Sequence, residues 1–403
     1  MRLRSVRDVV RNGLCAGCGL CEAIGGEHGA RMRLTERGFL RPAGVPLPVE
    51  VERRILGVCP GAGIEAAGRQ SRADPLWGPV RAMHRAHAAD PSVRHLGSSG
   101  GVVSALAIHL LGTGEIDGVV HFGAGTTDPI AGEVTISRTS AEVLRSAGSR
   151  YAPSAPLAGI APLLAGSARF AFIGKPCDVA GLRALARQDP RVDRTFPWML
   201  SFFCAGVPSL EGTKELLARI RVEEREVVEL NYRGEGWPGR FRVRTREGRT
   251  GSLSYAQSWG EVLSRHLQFR CKICPDGTGE LADIAAADAW STADGYPDFE
   301  ERDGWSALLA RTERGARLLR AATDAGALIL APLAKEELET MQPYQRDRKQ
   351  ALSVRLAAMR LAGSMAPRFR RLGLLRAAGR SPGKWPRNFA GTWWRVMRRI
   401  NRE

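Results

Sequence analysis

Four cysteines in the first sixty residues have the spacing of an iron–sulfur site. Cys15, Cys18 and Cys21 form a C-x2-C-x2-C run, and Cys59 stands directly before Pro60. Such a run lets three thiolates converge on one 4Fe–4S cluster, and a Cys-Pro pair is a common fourth ligand. Zinc more often takes two separated pairs of cysteines. We therefore predict one 4Fe–4S cluster here, and no second one in this module, because residues 23–26 lack the next Cys-Pro pair.

The other four cysteines are scattered along the chain. Cys271 and Cys274 form a tight C-x2-C pair, whereas Cys177 lies in a predicted strand-to-helix turn and Cys204 at the end of an apolar strand. Strand ends collect ligands in α/β sheets, so four thiols from three places can form one site. The spacing leaves three readings open: a 4Fe–4S cluster, a structural zinc ion, or core cysteines, since free cysteine is often buried.

Three further motifs have the composition of a cofactor site. The 97–101 loop, which includes Ser98, Ser99, Gly100 and Gly101, opens a helix and offers N–H groups and hydroxyls to a phosphate, although Ser and Gly also cap ordinary helices. Lys175 and Pro176 follow a strand, as a rigid turn with a lysine free to reach an anion or solvent. The 232–239 loop combines an aromatic ring, a cation and glycines, which suits either a flat ligand or a hairpin turn. Its candidates are Tyr232, Arg233, Gly234 and Trp237.

Helices and strands alternate in the part of the chain that must position these residues. Apolar runs predict strands at 116–122, 168–173, 198–204, 227–232, 241–245 and 250–254, with helices at 102–111, 141–147, 157–164 and 213–220. This order predicts an α/β core with a mixed sheet. We divide the chain into an iron–sulfur module (1–70), two parts of the core (75–170 and 171–335) and a helical tail (336–403), and residues 74–95 are interpreted as a linker.

Charge is concentrated in the tail. The chain has 403 residues and a net charge of +17, and residues 355–403 hold 13 of the 59 basic residues with a single acid. The high charge is therefore weak evidence about the core, and no nucleic-acid partner is expected. The basic face suits solvent or an acidic partner. Weak contact with a membrane surface is the alternative, through Phe369, Leu372, Leu375, Trp393 and Trp394.

The sequence also predicts a cytoplasmic location. No apolar h-region follows the first arginines, and the most apolar stretch, 152–168, is broken by three prolines. Cysteines on the reducing side of a membrane stay as thiols and serve metal or redox chemistry.

Taken together, the motifs resemble the coenzyme F420 hydrogenase/dehydrogenase beta-subunit family. The resemblance is carried, in order, by residues 15–21, 97–106, 148–153, 174–180, 232–239, 271–288 and 303–315. The family includes flavoproteins that reduce coenzyme F420, 7-hydroxymethyl chlorophyll a reductases and divinyl chlorophyllide 8-vinyl reductases. One departure is Ala287-Asp288, where the family commonly has Gly-Asp. The tail after about residue 340 lies outside the resemblance.

The resemblance implies one FAD and 4Fe–4S clusters that feed it electrons. It implies that Cys177, Cys204, Cys271 and Cys274 hold a cluster near the flavin, so that the chain carries two clusters. It also implies that the 97–101 loop, Ser149, Arg150, Tyr151, Lys175 and the 232–239 loop lie around the flavin. Lys175 or Arg233 is then a candidate to stabilise negative charge on the reduced flavin. His95, two residues before the 97–101 loop, is a candidate proton donor.

The resulting hypothesis is an iron–sulfur flavoprotein oxidoreductase. A ferredoxin or a redox partner subunit supplies electrons, which pass from the first cysteine set to the second, then to FAD and to an organic acceptor. The acceptor is coenzyme F420 or another small molecule. One alternative is a non-catalytic electron-transfer subunit of a larger complex, and another is a zinc-bearing binding protein.

Overall fold

The chain folds into a mixed α/β structure. The computed structural model describes residues 3–66, 73–125, 128–293 and 296–398. The strands are β1 (Arg31–Leu34), β2 (Leu40–Ala43), β3 (Gly63–Glu65), β4 (Ala82–Ala88), β5 (Gly118–Ala124), β6 (Gly132–Ser137), β7 (Phe170–Gly174), β8 (Trp198–Phe202), β9 (Val227–Asn231), β10 (Phe241–Thr245), β11 (Thr250–Leu253), β12 (Ile284–Asp288), β13 (Thr292–Ala293), β14 (Tyr296–Pro297), β15 (Ser306–Ala310), β16 (Leu328–Pro332) and β17 (Arg368–Arg370).

The helices surround these strands and dominate the C-terminal segment. They are α1 (Val6–Arg11), α2 (Leu20–Gly25), α3 (Val49–Val58), α4 (Pro91–Leu96), α5 (Val102–Gly112), α6 (Ser140–Arg145), α7 (Ile160–Ala165), α8 (Pro176–Ala186), α9 (Arg191–Thr195), α10 (Leu210–Arg219), α11 (Phe269–Lys272), α12 (Glu313–Asp324), α13 (Lys335–Met341), α14 (Pro343–Leu361), α15 (Leu374–Gly379) and α16 (Trp385–Met397). No helix of the described part of the chain is both long and apolar enough to cross a membrane.

The centre of the molecule is an eight-stranded sheet of order β16-β4-β15-β12-β8-β7-β5-β6. The inner strands β12, β8, β7 and β5 are parallel, and the strands on both sides are antiparallel to their neighbours. β7 and β8 are apolar runs because both faces of the parallel part are covered by helices. The predicted mixed sheet is confirmed, and strands from both halves of the core, 75–170 and 171–335, share it.

The predicted linker at residues 74–95 is wrong. β4 lies inside the sheet and pairs antiparallel with both β15 and β16, and α4 follows it. Its sequence, AMHRAHA, has two histidines and an arginine, so it lacks the apolar run by which a strand is normally detected. Small alanines fill the buried positions instead, because Ala86 and Ala88 are packed into the core.

Smaller units pack around this sheet. The N-terminal segment holds α1–α3 and the β1–β2 hairpin, and the antiparallel sheet β11-β10-β9 packs with α10 over its own apolar cluster. The predicted boundary near residue 70 lies outside the described residues, and the domain division stays a prediction. The tail is mostly helical as predicted, but β17 pairs in parallel with β3 and so joins the tail to the N-terminal segment.

The tail does not present one continuous apolar face. Leu372 is buried, and Arg270 lies 5.2 Å over the ring of Phe369, whereas Leu375 and Trp394 are exposed. Trp393 stacks on Phe389 with ring centroids 5.9 Å apart. Membrane-surface contact by these residues stays a prediction, but buried Leu372 and the covered ring of Phe369 would contribute little to it.

Candidate functional site

A cavity of about 890 Å³ lies at the carboxyl ends of the parallel strands. Its wall includes residues at or just beyond the ends of three of them: Gly174 at the end of β7, Cys204 after β8 and Asp288 at the end of β12. This is where open α/β sheets bind ligands, because loops diverge there and leave a crevice. The volume falls within the range of small-molecule and cofactor sites.

The cavity gathers most of the residues predicted around the flavin. The predicted residues that line it are Ser98, Ser99, Gly101, Ser149, Arg150, Tyr151, Lys175 and Arg233. The remaining five, Gly100, Pro176, Tyr232, Gly234 and Trp237, stand behind the lining. His95 is exposed outside the cavity, and its backbone carbonyl accepts a hydrogen bond from the Gly236 N–H, so a role as proton donor finds no support in the geometry.

The residues behind the lining support those in front. Tyr232 is buried, its hydroxyl is 2.6 Å from that of Thr213, and its ring meets the ring of Tyr151 edge-on at 5.7 Å. Pro176 starts α8. Gly100 has no room for a side chain, because a Cβ would meet the Ala86 carbonyl at 2.6 Å.

The 97–101 loop is held rigidly at the start of α5. Gly101 adopts a left-handed φ of 70° as the N-cap, which favours glycine. The Ser99 hydroxyl donates to the Trp305 carbonyl at 2.8 Å, and the Gly100 N–H donates to the Ser306 hydroxyl at 3.0 Å. The loop and the N-terminus of an eleven-residue helix therefore face the cavity in one fixed geometry, which suits an anionic group.

Arg150 adds a positive charge to this wall. Its described hydrogen bonds go to backbone carbonyls, including that of Leu230 at 2.8 Å, rather than to a carboxylate. Burial lowers the pKa of Arg150, because the charged form loses solvation. A phosphate would compensate this charge, and the arginine fork matches phosphate oxygens. The residues present therefore fit the diphosphate of a dinucleotide cofactor such as FAD.

Arg233 is locked in place by an acid and two aromatic rings. Its guanidinium donates to both carboxylate oxygens of Asp288, at 2.7 and 3.0 Å. It also lies 4.9 Å over the ring of Tyr255 and 5.3 Å over that of Trp290. Asp288, which follows Ala287 where the family commonly has Gly-Asp, is therefore paired with Arg233. It also accepts a hydrogen bond from the indole N–H of Trp237 at 2.9 Å.

Sequence reasoning missed the aromatic side of the cavity. Its lining includes Tyr255, Trp259, Trp290, Tyr296 and Phe299. These residues are spread over more than forty positions without a common motif, so only their proximity in the fold identifies them. Rings packed in this way offer flat apolar surface to a planar ligand.

Lys175 lines the cavity but is already paired. Its ammonium lies 2.7 Å from the carboxylate of Asp178 and 2.6 Å from the hydroxyl of Ser154. The pair is almost fully buried, which makes it part of the wall rather than a free cation. The lysine is therefore better placed to orient the start of α8, where Cys177 lies, than to contact a ligand directly.

The four cysteines of the second set are brought together beside the cavity. Burial, followed by the charge of Cys271, raises the pKa of Cys204 to about 12; Cys274 acts in the same direction, whereas the charge of Arg348 lowers it. Burial also raises the pKa of Cys177, with Cys204 and Cys274 among the further causes. Cys204 itself lines the cavity. Three distant segments of the chain thus bring four interacting thiols together, one of which lines the cavity.

The first set is grouped in the same way. Burial raises the pKa of Cys18, and the charges of Cys59 and Cys21 raise it further. Burial likewise raises the pKa of Cys21, and the charges of Cys59 and Cys15 raise it further. The Gly17 N–H donates to the sulfur of Cys15 at 3.4 Å, as backbone amides do at iron–sulfur sites. The short run and Cys59 therefore form one group.

Both groups offer the four thiolates that a 4Fe–4S cluster takes as ligands. Among the residues that the structure describes, no three His, Cys, Asp or Glu side chains are arranged to hold one metal ion. One zinc ion needs four sulfurs within about 2.3 Å of itself, whereas a 4Fe–4S cube holds each thiolate at a separate corner. Four thiolates whose charges repel one another also require a cationic partner. The donor chemistry therefore fits 4Fe–4S clusters in both places.

The two cysteine groups are neighbours. The Gln268 side-chain amide donates to the Ala16 carbonyl in the first loop and to the sulfur of Cys271 in the second group, each at 3.4 Å. Arg270 donates to the carbonyl of Pro60, the residue after Cys59, at 2.8 Å. The two groups are therefore adjacent, and the second also reaches the cavity wall through Cys204.

Family models match most of the core. Residues 83–161 match the model described as coenzyme F420 hydrogenase/dehydrogenase, beta subunit N-term, and residues 167–336 match the C terminus of the same subunit. These ranges include the second cysteine group. The first cysteine group and the tail lie outside them.

Several relatives are similar over long stretches. The coenzyme F420 hydrogenase subunit beta of Methanococcus voltae is 26% identical over 301 residues, covering 72% of this chain and 99% of that protein. The F420-dependent formate dehydrogenase 1 subunit beta of Methanococcus maripaludis is 26% identical and covers 60% of each. A chain of the F420-reducing [NiFe] hydrogenase complex from Methanosarcina barkeri has the same fold, with a TM-score of 0.53 at 20% identity over 71% of this chain and 95% of that one.

Proposed function

Because this chain belongs to the coenzyme F420 hydrogenase/dehydrogenase beta-subunit family, we propose that it is an iron–sulfur flavoprotein oxidoreductase. It takes electrons from a ferredoxin-like donor or a partner subunit and delivers them to an organic acceptor, either coenzyme F420 or another small molecule. When bound, two 4Fe–4S clusters supply one-electron transfer and FAD converts single electrons into a two-electron reduction of the acceptor.

One observation carries this proposal: two neighbouring groups of four cysteines lie beside a cofactor-sized cavity. Gln268 contacts both groups, and Cys204 belongs to the second group while also lining the cavity. A structural metal site has no need to adjoin either a second metal site or a cavity. An electron relay needs both, because each transfer requires neighbouring centres.

Different residues of the cavity bind different parts of FAD in this proposal. The 97–101 loop, the N-terminus of α5 and Arg150 offer hydrogen bonds and positive charge to the diphosphate. The Asp288 carboxylate pairs with Arg233 and keeps it oriented, and the Arg233 guanidinium in turn donates to the Ser98 carbonyl and fixes the 97–101 loop at the cavity wall. Tyr255 and Trp290 offer flat apolar surface and keep water away from that region.

Anaerobic reconstitution tests the proposal. The full chain, supplied with iron, sulfide and FAD, is expected to bind about eight irons and one flavin, and dithionite should bleach both chromophores. An iron-loaded protein that takes up no flavin would contradict the proposal. Zinc without iron would point instead to a binding protein.

A role as the electron-transfer subunit of a larger complex is the second candidate. It is favoured by the relatives, several of which are named as beta subunits, and by the similar chain, which comes from a hydrogenase complex. Purification from the native host distinguishes the two. A chain that reduces coenzyme F420 alone, with dithionite as the electron source, supports the oxidoreductase, whereas activity only within a stable hetero-complex supports the subunit.

A further inference from the structure

The second cysteine group receives a buried charge from the tail. Arg348 lies on α14, beyond residue 336, where the family match ends. Its guanidinium donates to the carbonyls of Cys204 and Ala205, at 2.8 and 3.2 Å. It is only 5% exposed. A segment outside the matched region therefore reaches the loop that holds one of the four cysteines.

The surroundings of Arg348 keep it charged and fixed. Its other described partners are the amide oxygen of Gln345 and the ring of Tyr344, over which it lies at 5.0 Å. Gln345 and Tyr344 also donate to the carbonyls of Cys204 and Ala205, at 3.2 and 3.0 Å. One turn of α14 thus clamps this loop. The partners of the guanidinium in the described chain are neutral, so its positive charge is available to the cysteines.

The loop on the other side is shaped to admit this arginine. The Gly277 carbonyl accepts from the Cys204 N–H at 2.8 Å. A Cβ on Gly277 would collide with the guanidinium of Arg348 and the amide of Gln345. Next to Arg348 on the helix, Lys349 forms a buried ion pair with Glu280 and fixes the same loop. The glycine therefore makes room for the arginine, and the two residues form one unit.

We propose that Arg348 is a positioning residue of the second cluster: it holds the Cys204 loop and raises the reduction potential of the cluster bound by the four cysteines. This inference rests on the proposed two-cluster function. A fixed positive charge stabilises the reduced cluster, which carries one more negative charge, more than the oxidised one. The cluster beside the cavity is thereby made the better electron acceptor, so electrons arriving at the first cluster move toward the cavity.

Potentiometric titration of the full, anaerobically reconstituted chain, followed by electron paramagnetic resonance, tests this role. Arg348→Gln should lower the midpoint of the second cluster and leave that of the first unchanged. The oxidised-to-reduced ratio at a fixed potential should rise at least tenfold, a shift of about 59 mV for one electron. Arg348→Lys should retain most of the wild-type midpoint. Arg346→Gln is the matched control, because it removes the same charge from an arginine that pairs with Asp347 on the same helix.

Gly277→Ala provides an independent variant, because it displaces the arginine without removing it. It should lower the same midpoint in the wild-type chain and have little further effect in Arg348→Gln. If Arg348→Gln fails to retain the cluster, the midpoints of Gly277→Ala and Arg348→Lys test the charge effect instead. A lowered midpoint in the first with a normal one in the second supports the charge effect. Loss of the cluster in Arg348→Lys overturns it in favour of a purely structural guanidinium.

Results that overturn this inference alone are distinguishable from those that also overturn the two-cluster function. About eight irons with unchanged midpoints in Arg348→Gln, or an equal shift in Arg346→Gln, remove the role of Arg348 and leave the two-cluster function standing. About four irons, assigned to the first group by cysteine variants, contradict both the function and the inference.

Discussion

The two cysteine groups of this protein are assembled in different ways. Three members of the first, Cys15, Cys18 and Cys21, come from one short loop, and Cys59 joins them from the end of α3. The second group draws on the first turn of α8, the loop after β8, and α11 with the residues beyond it. The first is a local structure packed against the core, whereas the second exists only because the central sheet brings three segments together.

This difference matches the two positions in the proposed relay. A local loop can sit in a peripheral module and receive electrons there. The second group lies beside the crevice because two of its cysteines, Cys177 and Cys204, follow the ends of β7 and β8. The same construction makes the second group sensitive to changes in the scaffold that leave the first group intact. Four predictions use this contrast, and each compares a change in the core with a matched change elsewhere.

The largest effect is expected from removing one cysteine of each group. Cys204→Ala should lower the iron content from about eight to about four per chain and reduce donor-linked turnover at least a hundredfold, because the step into the cavity is lost. Cys18→Ala should lose the same amount of iron. In that variant, however, a small reductant should still reach the flavin through the second cluster.

Iron analysis and stopped-flow flavin bleaching with ferredoxin and with dithionite measure both effects. The relay order is contradicted if Cys204→Ala transfers electrons from ferredoxin to the flavin as fast as the wild-type chain does.

The second largest effect, a loss of stability, is expected from Asp288→Asn. The change leaves the Arg233 guanidinium buried without its counter-charge, which should lower the free energy of unfolding by about 3–5 kcal/mol. Because Asp288 stands at the end of β12 beside the cavity, the second cluster should be released at a lower urea concentration than the first. Equilibrium unfolding followed by visible absorption measures this.

Asp303→Asn is the control for this change. Its carboxylate is 88% exposed and 3.6 Å from Arg94, so a change within about 0.5 kcal/mol is expected. Simultaneous release of both clusters in Asp288→Asn would remove the distinction between a local and a dispersed site.

We expect a histidine in the core, and not one in the N-terminal segment, to make the stability of the fold depend on pH. Burial lowers the pKa of His121 on β5 to about 4, so the folded state keeps the ring neutral while the unfolded chain binds a proton near pH 6.5. Stability is therefore complete above about pH 6.5 and falls as the pH drops toward 4. Between pH 7 and pH 5 this residue should account for a loss of about 2 kcal/mol.

His121→Gln should remove that part of the pH dependence in urea unfolding at the two pH values. His28→Gln, at an exposed position of the N-terminal segment, should leave it unchanged. An equal pH dependence in wild type and His121→Gln would show that the ring is protonated without cost.

The smallest effect is expected at the contact between the two groups. Gln268→Ala removes two hydrogen bonds of 3.4 Å and should cost about 1 kcal/mol of stability. Iron content should stay at about eight, while the midpoint of the second cluster falls slightly, because one donor to a cysteine sulfur is lost. Gln188→Ala, at an exposed position after α8, serves as the control. Loss of a whole cluster in Gln268→Ala would contradict this prediction, because it would mean that Gln268 is needed for the cysteine loops to keep their structure.

Several features followed directly from the sequence because they are local. The C-x2-C-x2-C run needs only a short loop, and the strands β7 and β8 are apolar runs because they are buried on both faces. The pattern of motifs also predicted the family, and the family models confirm it. β4 was not predicted from the sequence, because its alanines and histidines do not form a periodic apolar pattern. Its place in the sheet also depends on β15 and β16, which are more than two hundred residues away.

The spacing of Cys177, Cys204, Cys271 and Cys274 left their grouping open, and only the family resemblance implied it. The aromatic wall of Tyr255 and Trp290 and the approach of Arg348 from the tail were decided by tertiary structure alone, because they join residues with no fixed spacing. The sequence by itself determined which residue types were available and which local turns they form. Only the folded sheet decided which of them meet, because proximity between distant segments depends on the packing energy of the whole core rather than on any one segment.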